Sequence, residues 1–282
     1  MKRFTLLSTI ALTTLSFAAT AEAQQKTNYR VSTYLKISPD KEAAALEFAR
    51  TNGTKLIREM MNAGKTPLTA IALQKIVYTG VPALDYNYIQ TNTYEGAPQE
   101  PNIGALDPIY RKATGMSMQE YGQKLAAIAT VVGTMVYRVE AAVPASQNAE
   151  GNYIQVVRWK ITPQRGADYG NYMQKMQLPL NAQAMRDGRI VGWSTARVVY
   201  PGGADAPFDA YTATTMKDLS AALPTSAGNP DQGQLNFAKV FPGQNFTAFV
   251  DEGRALRRAI RSDLVRVMWS MDRSTASTSA AR

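Results

Sequence analysis

The chain of 282 residues contains no cysteine and no histidine. Without cysteine there is no disulfide, no catalytic thiol and no thiolate metal site, so stability has to come from core packing. Without histidine there is no Ser-His-Asp triad, no histidine general base, no His-ligated zinc and no His-ligated haem. Any chemistry must rest on Asp, Glu, Lys, Arg, Tyr, Ser or backbone groups. Carboxylates are scattered, with no dense cluster to hold a metal, and Gly202-Gly203 reads as a turn rather than a phosphate loop. No cofactor is predicted.

Long apolar runs are also missing beyond the first residues, so no transmembrane segment is predicted in the mature chain. The start itself reads as a secretory signal over 1–23. Lys2 and Arg3 give a positive beginning, Phe4 to Ala19 is apolar apart from small hydroxyl residues, and Ala21-Glu22-Ala23 has the small-x-small form of a cleavage site. Cleavage near Ala23 predicts a periplasmic or secreted protein. The formal net charge is +9; Lys2, Arg3 and Glu22 account for +1 of it, leaving +8 on the mature chain. Export and the lack of a recognised reader motif argue against nucleic acid as a partner.

What is present is a repeat. Asn28-Tyr29 leads to Lys36-Ile37-Ser38-Pro39, and Asn152-Tyr153 leads to Lys160-Ile161-Thr162-Pro163, 124 residues later. Gly64 and Gly188 keep that offset. Further on it becomes 128, matching Gly115 to Gly243, Tyr121 to Phe249 and Arg138 to Arg266. Matches in order with like local patterns point to internal duplication.

Each copy carries the same signals. Tyr29, Val31, Thr33, Leu35 and Ile37 alternate with Arg30, Ser32, Tyr34 and Lys36, the period of a half-buried strand. Ser38-Pro39 and Thr162-Pro163 open helices, and Gly64 and Gly188 stand at left-handed C-caps. Gly53 and Pro179 predict a kink midway. Two strands follow in each copy, then long loops at 95–116 and 220–244. A second helix comes next, with Ser117 and Glu120 as a capping box in the first copy. Closing strands run over Met135 to Val143 and Leu264 to Met271. The predicted class is α+β, two tandem ferredoxin-like βαββαβ repeats over 24–147 and 148–273, with a disordered tail at 274–282.

That order, the duplication and the Lys-Ile-Ser/Thr-Pro turn resemble the dimeric α/β-barrel superfamily, which includes NIPSNAP-like and antibiotic-monooxygenase-like proteins. The resemblance implies that the two repeats pair their sheets into one intramolecular barrel, a pseudo-dimer within one chain. It implies no catalytic residue, because no diagnostic motif accompanies it.

Polar residues on the strands then become candidate ligand-binding groups: Tyr34, Lys36, Arg138, Arg158, Lys160 and Arg266. Arg and Tyr lining a partly apolar interior suit a small anionic or aromatic molecule. A cofactor-independent oxygenase or isomerase and an envelope protein interacting through its long loops remain as alternatives. Ser38-Pro39-Asp40-Lys41 matches S-x-x-K, but its partner motifs are missing and a helix cap accounts for it. Arg254, Arg257, Arg258 and Arg261 are predicted on one helical face, as a solvated surface or a phosphate-binding patch.

Overall fold

A computed structural model describes residues 28–62, 67–80, 84–98, 103–143, 149–203, 206–222 and 230–273. The signal segment, the tail at 274–282 and Gly64 lie outside the described residues. The first part runs β1 (Asn28–Lys36), α1 (Glu42–Phe48), α2 (Thr54–Asn62), β2 (Leu68–Thr79), β3 (Tyr88–Glu95), α3 (Ile103–Thr114), α4 (Met118–Ile128) and β4 (Thr130–Val143). The second runs β5 (Tyr153–Ile161), α5 (Gly166–Tyr172), α6 (Leu178–Arg186), β6 (Gly192–Tyr200), β7 (Ala210–Met216), α7 (Leu219–Ala222), α8 (Pro230–Val240), α9 (Phe246–Leu256) and β8 (Arg257–Asp272).

The eight strands close into one barrel in the order β1-β3-β2-β8-β5-β7-β6-β4, every seam antiparallel. The first four strands lie as β4-β1-β3-β2 and the last four as β8-β5-β7-β6. Closure depends on two long strands. β4, with 14 residues, pairs with β1 and β6, and β8, with 16, pairs with β5 and β2. Each carries a bulge, between Val139 and Ala141 in β4 and opposite Leu73/Gln74 in β8. A bulge adds one residue and reverses which face the following side chains meet. Val265 and Val267 therefore point into the barrel while Trp269 and Met271 pack under helices; Tyr137 turns inward, and Ala141 and Val143 pack under helices on the other side.

Helices cover the outer face of the sheet. Ser117 caps α4 as the sequence predicts, accepting from the Glu120 backbone N–H while the Glu120 carboxylate accepts from the Ser117 N–H at 2.6 Å. Gly115, Gly188 and Gly243 all have positive φ, which glycine adopts without steric cost. The predicted mid-helix kinks are π-turns, at Ala49–Gly53 and Met173–Gln177. At the S-x-x-K sequence the Lys41 ammonium donates to the Ala127 carbonyl at 2.7 Å, which closes α1 against the end of α4.

Two expectations fail. The stretches read as long loops contain helices, α3 and α8. Pro108 inside α3 and a sparse apolar pattern in α8 hid them. The arginine-rich stretch is not one helical face: α9 stops at Leu256, and Arg257, Arg258 and Arg261 belong to β8. Pairing with β5, such as Trp159 with Ala259, sets this segment as strand; local propensity cannot register a partner 100 residues away. No helix among the described residues is long and apolar enough to cross a membrane.

Candidate functional site

Two spaces separate around the sheet of the first half, one on each face. Alternate residues of β3 serve both. Ile89 and Thr91 face the barrel lumen, and Gln90, Asn92 and Tyr94 face the helices.

The lumen is nearly filled. Tyr34, Ile89, Met135, Tyr137, Ile154, Phe208, Tyr211, Val265 and Val267 form its apolar packing. The Tyr34 and Tyr137 hydroxyls are hydrogen bonded at 2.7 Å, and Tyr137 donates to the Met135 sulfur at 3.3 Å. Arg158, 4% exposed, pairs with the buried carboxylate of Asp263, which also accepts from Arg261 Nε at 2.8 Å. Burial opposes the charge on Arg158, but Tyr34, Tyr86 and Asp263 outweigh it and raise its pKa, so the guanidinium stays charged. Burial, reinforced by Tyr34, pushes the Tyr137 hydroxyl well up. Toward the Ser32–Thr91 pair, Arg30 donates to Ser194 Oγ at 2.7 Å and to the Tyr211 hydroxyl at 3.0 Å. The space left is about 50 Å³. That holds a water or two, and it does not hold an aromatic ring.

The predicted binding residues therefore scatter. Tyr34 and Arg158 meet in the lumen. Lys36 is exposed at the end of β1. Arg138 lies outside the barrel, 3.4 Å from Glu140. Arg266 is exposed, over the ring of Tyr153. Lys160 is half-buried and donates to Asp209 at 3.0 Å and to the Ala206 carbonyl at 2.7 Å. Arg30 was within reach of the alternation that selected Tyr34, being four residues away on the same face. Arg261 and Asp263 were hidden by the helical reading of 254–261. In the closing strands the inward neighbours are Tyr137 and Val265, one residue away from those the repeat singled out.

The second space is larger, about 230 Å³, between β1, β2 and β3 on one side and the helices on the other. Its floor includes Leu35, Ile71 and Leu73, its roof Phe48, Leu56, Met60, Tyr110 and Tyr121, and Trp269 closes one end. Trp269 reaches it because of the β8 bulge, and its indole N–H donates to Thr54 Oγ1 at 3.1 Å. Gly53 in the first π-turn packs beside the ring, where a Cβ would stand at an ordinary contact distance of 3.5 Å from Trp269. Such π-turns recur at functional sites.

Polar groups enter this apolar space from one strand. On β3, Gln90 Nε2 donates to Asn92 Oδ1 and Asn92 Nδ2 to the Tyr94 hydroxyl, both at 3.3 Å. Among the described residues the lining contains no Asp, Glu, Lys or Arg. Its three titratable groups are tyrosines, and burial raises the pKa of Tyr94, Tyr110 and Tyr121 alike. The described lining thus offers hydrogen bonds and ring contacts, and its tyrosines keep their protons at neutral pH. On the helix side of the second-half sheet, Arg257 lies over Trp159 at 4.1 Å and near the rings of Tyr169 and Tyr172, and donates to the Met173 sulfur at 3.2 Å.

No protein-family model matches this chain, and no curated protein matches it significantly. Its shape does match solved structures. A candidate monooxygenase from Fusobacterium nucleatum aligns over 89% of this chain and 96% of its own, with 9% identity and a TM-score of 0.52. An anthrone oxidase-like protein aligns over 89% and 94%, at 10% identity and a TM-score of 0.49. A protein described as a chlorite dismutase aligns over 86% and 95%, at 9% identity and a TM-score of 0.42. At such identities the likeness speaks to architecture. The strand order together with the first of these matches defines the class of this protein, an α+β closed barrel of ferredoxin-like type.

Proposed function

We propose that this protein binds a small, mostly apolar aromatic molecule in the pocket between the first-half sheet and its helices. The observation that carries the reading is the Gln90–Asn92–Tyr94 ladder inside an otherwise apolar space of about 230 Å³. Ligand sites combine apolar walls with a few placed polar groups. Amide groups within a cavity also offer donors and acceptors to an uncharged hydroxyl or carbonyl. The lumen, at about 50 Å³, is too small for the ring that the sequence reading assigned to it.

The same reading takes the chain as two fused ferredoxin-like repeats of the dimeric α/β-barrel superfamily, exported by its leading segment. Its support is the recurring strand order, π-turns 124 residues apart and bulges 128 residues apart. One repeat keeps an open pocket and the other sets Arg257 over Trp159 on the helix side of its sheet, so the stoichiometry is one ligand per chain. Binding takes precedence over oxygenase chemistry because the polar groups among the described lining residues are amides and protonated tyrosines.

A thermal-shift screen of uncharged bicyclic phenols and ketones tests this. Stabilisation by members of that class in the wild type, lost in Ala49→Phe, supports the reading. A screen in which only charged compounds bind, or in which Ala49→Phe binds equally well, refutes it.

A further inference from the structure

We propose that the barrel lumen is a second, separate site, which takes a small monovalent anion of halide to nitrate size between Arg30 and Arg158. Size comes first. The cavity of about 50 Å³ excludes any ring or chain but accommodates an ion not much larger than water.

Charge comes second. The walls carry two guanidinium groups, the hydroxyls of Ser32, Thr91, Thr215, Tyr34, Tyr137 and Tyr211, and the Gln74 amide, with no carboxylate among the described lining residues. The guanidinium groups, the Gln74 amide and the Tyr211 and Thr215 hydroxyls can each present a donor to an anion, while the Tyr34 and Tyr137 hydroxyls are bonded to each other and to Met135. A cation there would face two guanidinium groups.

Buried charge is also out of balance beside the cavity. Arg158 and Arg261 oppose each other across β5 and β8 and share one carboxylate, Asp263. The triad carries a net positive charge in a region that water barely reaches: Asp263 is 1% exposed. Buried charge is costly unless it is paired. An anion against Arg158 supplies the missing negative charge without straining the Asp263 contacts. Arg261 has a terminal nitrogen, Nη2, with no hydrogen-bond partner, consistent with one carboxylate shared between two guanidinium groups.

The site is independent of the aromatic pocket, because one sheet separates them: β1, β2 and β3 contribute to both, but through opposite faces. The full chain is titrated with sodium bromide against sodium gluconate at equal ionic strength, and Tm is followed. Gluconate is too large for the lumen. The expected result is a saturable rise in Tm of about 3 °C in bromide over gluconate. It persists in the pocket-filling variant Ala49→Phe and disappears in Arg30→Gln. Arg158→Gln risks unfolding, so the second readout is direct: anomalous scattering from bromide-soaked crystals, with a peak between Arg30 and Arg158. Equal Tm in the two salts, full retention of the shift in Arg30→Gln, or density for water only at that position would overturn the proposal.

Discussion

Replacing Asp263 by asparagine keeps the side-chain shape and removes one charge. The geometry sets the size of the effect. The Asp263 side chain is fully buried and its partner Arg158 is 5% exposed, so solvent screens their contact hardly at all. Arg261, at 13%, is screened slightly more. Removing one partner from such a pair leaves the other charge stranded and costs about 3–5 kcal/mol. Here two guanidinium groups are stranded, which favours the upper end. Each kcal/mol lowers Tm by about 2–4 °C in domains of this size, so a fall on the order of 10 °C is expected. Thermal unfolding by circular dichroism measures it, and urea unfolding with an unchanged slope checks that the folded state is intact. Glu150→Gln is the control: its pair with Arg50 is half exposed on both sides, and exposed pairs contribute little. Equal Tm shifts in Asp263→Asn and Glu150→Gln would refute a buried, unscreened Asp263 pair.

Three further outcomes follow from named contacts. Gly253→Ala destabilises by about 1–3 kcal/mol, since a Cβ there would come within 2.5 Å of the Tyr172 hydroxyl oxygen; Tyr172→Phe in the same chain restores part of the loss in urea unfolding, and no restoration would mean the clash lies elsewhere. Stability falls on the alkaline side. Burial raises the hydroxyl pKa of Tyr86, Tyr94, Tyr110, Tyr121, Tyr137, Tyr169 and Tyr172, and burial together with Glu42 pushes Tyr88 up to about 12. Above about pH 10 the unfolded chain sheds these protons while the folded chain keeps them. The stabilisation is thus complete below pH 10 and lost as pH rises toward 12; tyrosinate absorbance should rise together with unfolding, and titration near pH 10 with the fold intact would contradict it. Ala49→Phe leaves Tm unchanged or raised, because it fills space that is open, whereas a large fall in Tm would mean that the pocket is already packed.

Period and punctuation carried much of the fold into the sequence. The alternation over Arg30, Ser32 and Tyr34 is the inward face of β1, and the Ser117–Glu120 box starts α4. The Arg257–Arg261 strand was illegible because its partner strand is remote in sequence. The site was less legible still. Bulges in β4 and β8 reverse the alternation, so simple counting sends Trp269 into the lumen when it lies in the pocket. Gln90 and Asn92 look like an ordinary solvent face of a strand. Only the helices that cover them make their polarity unusual, and the open volume depends on the spacing of layers rather than on any residue type. With no histidine or cysteine in the chain, polar lining falls to tyrosine and amide groups in the pocket and to arginine, tyrosine, amide and hydroxyl groups in the lumen.

The central claim is that the first-half pocket holds an uncharged aromatic ligand against Trp269. The direct measurement is fluorescence of Trp269 alone, in a Trp159→Phe, Trp193→Phe background, titrated with naphthol. Binding in the pocket brings the probe into contact with the indole, so a saturable change in Trp269 emission is predicted, absent when Ala49→Phe is added. A change that is linear without saturation, or one that survives Ala49→Phe, would contradict the account.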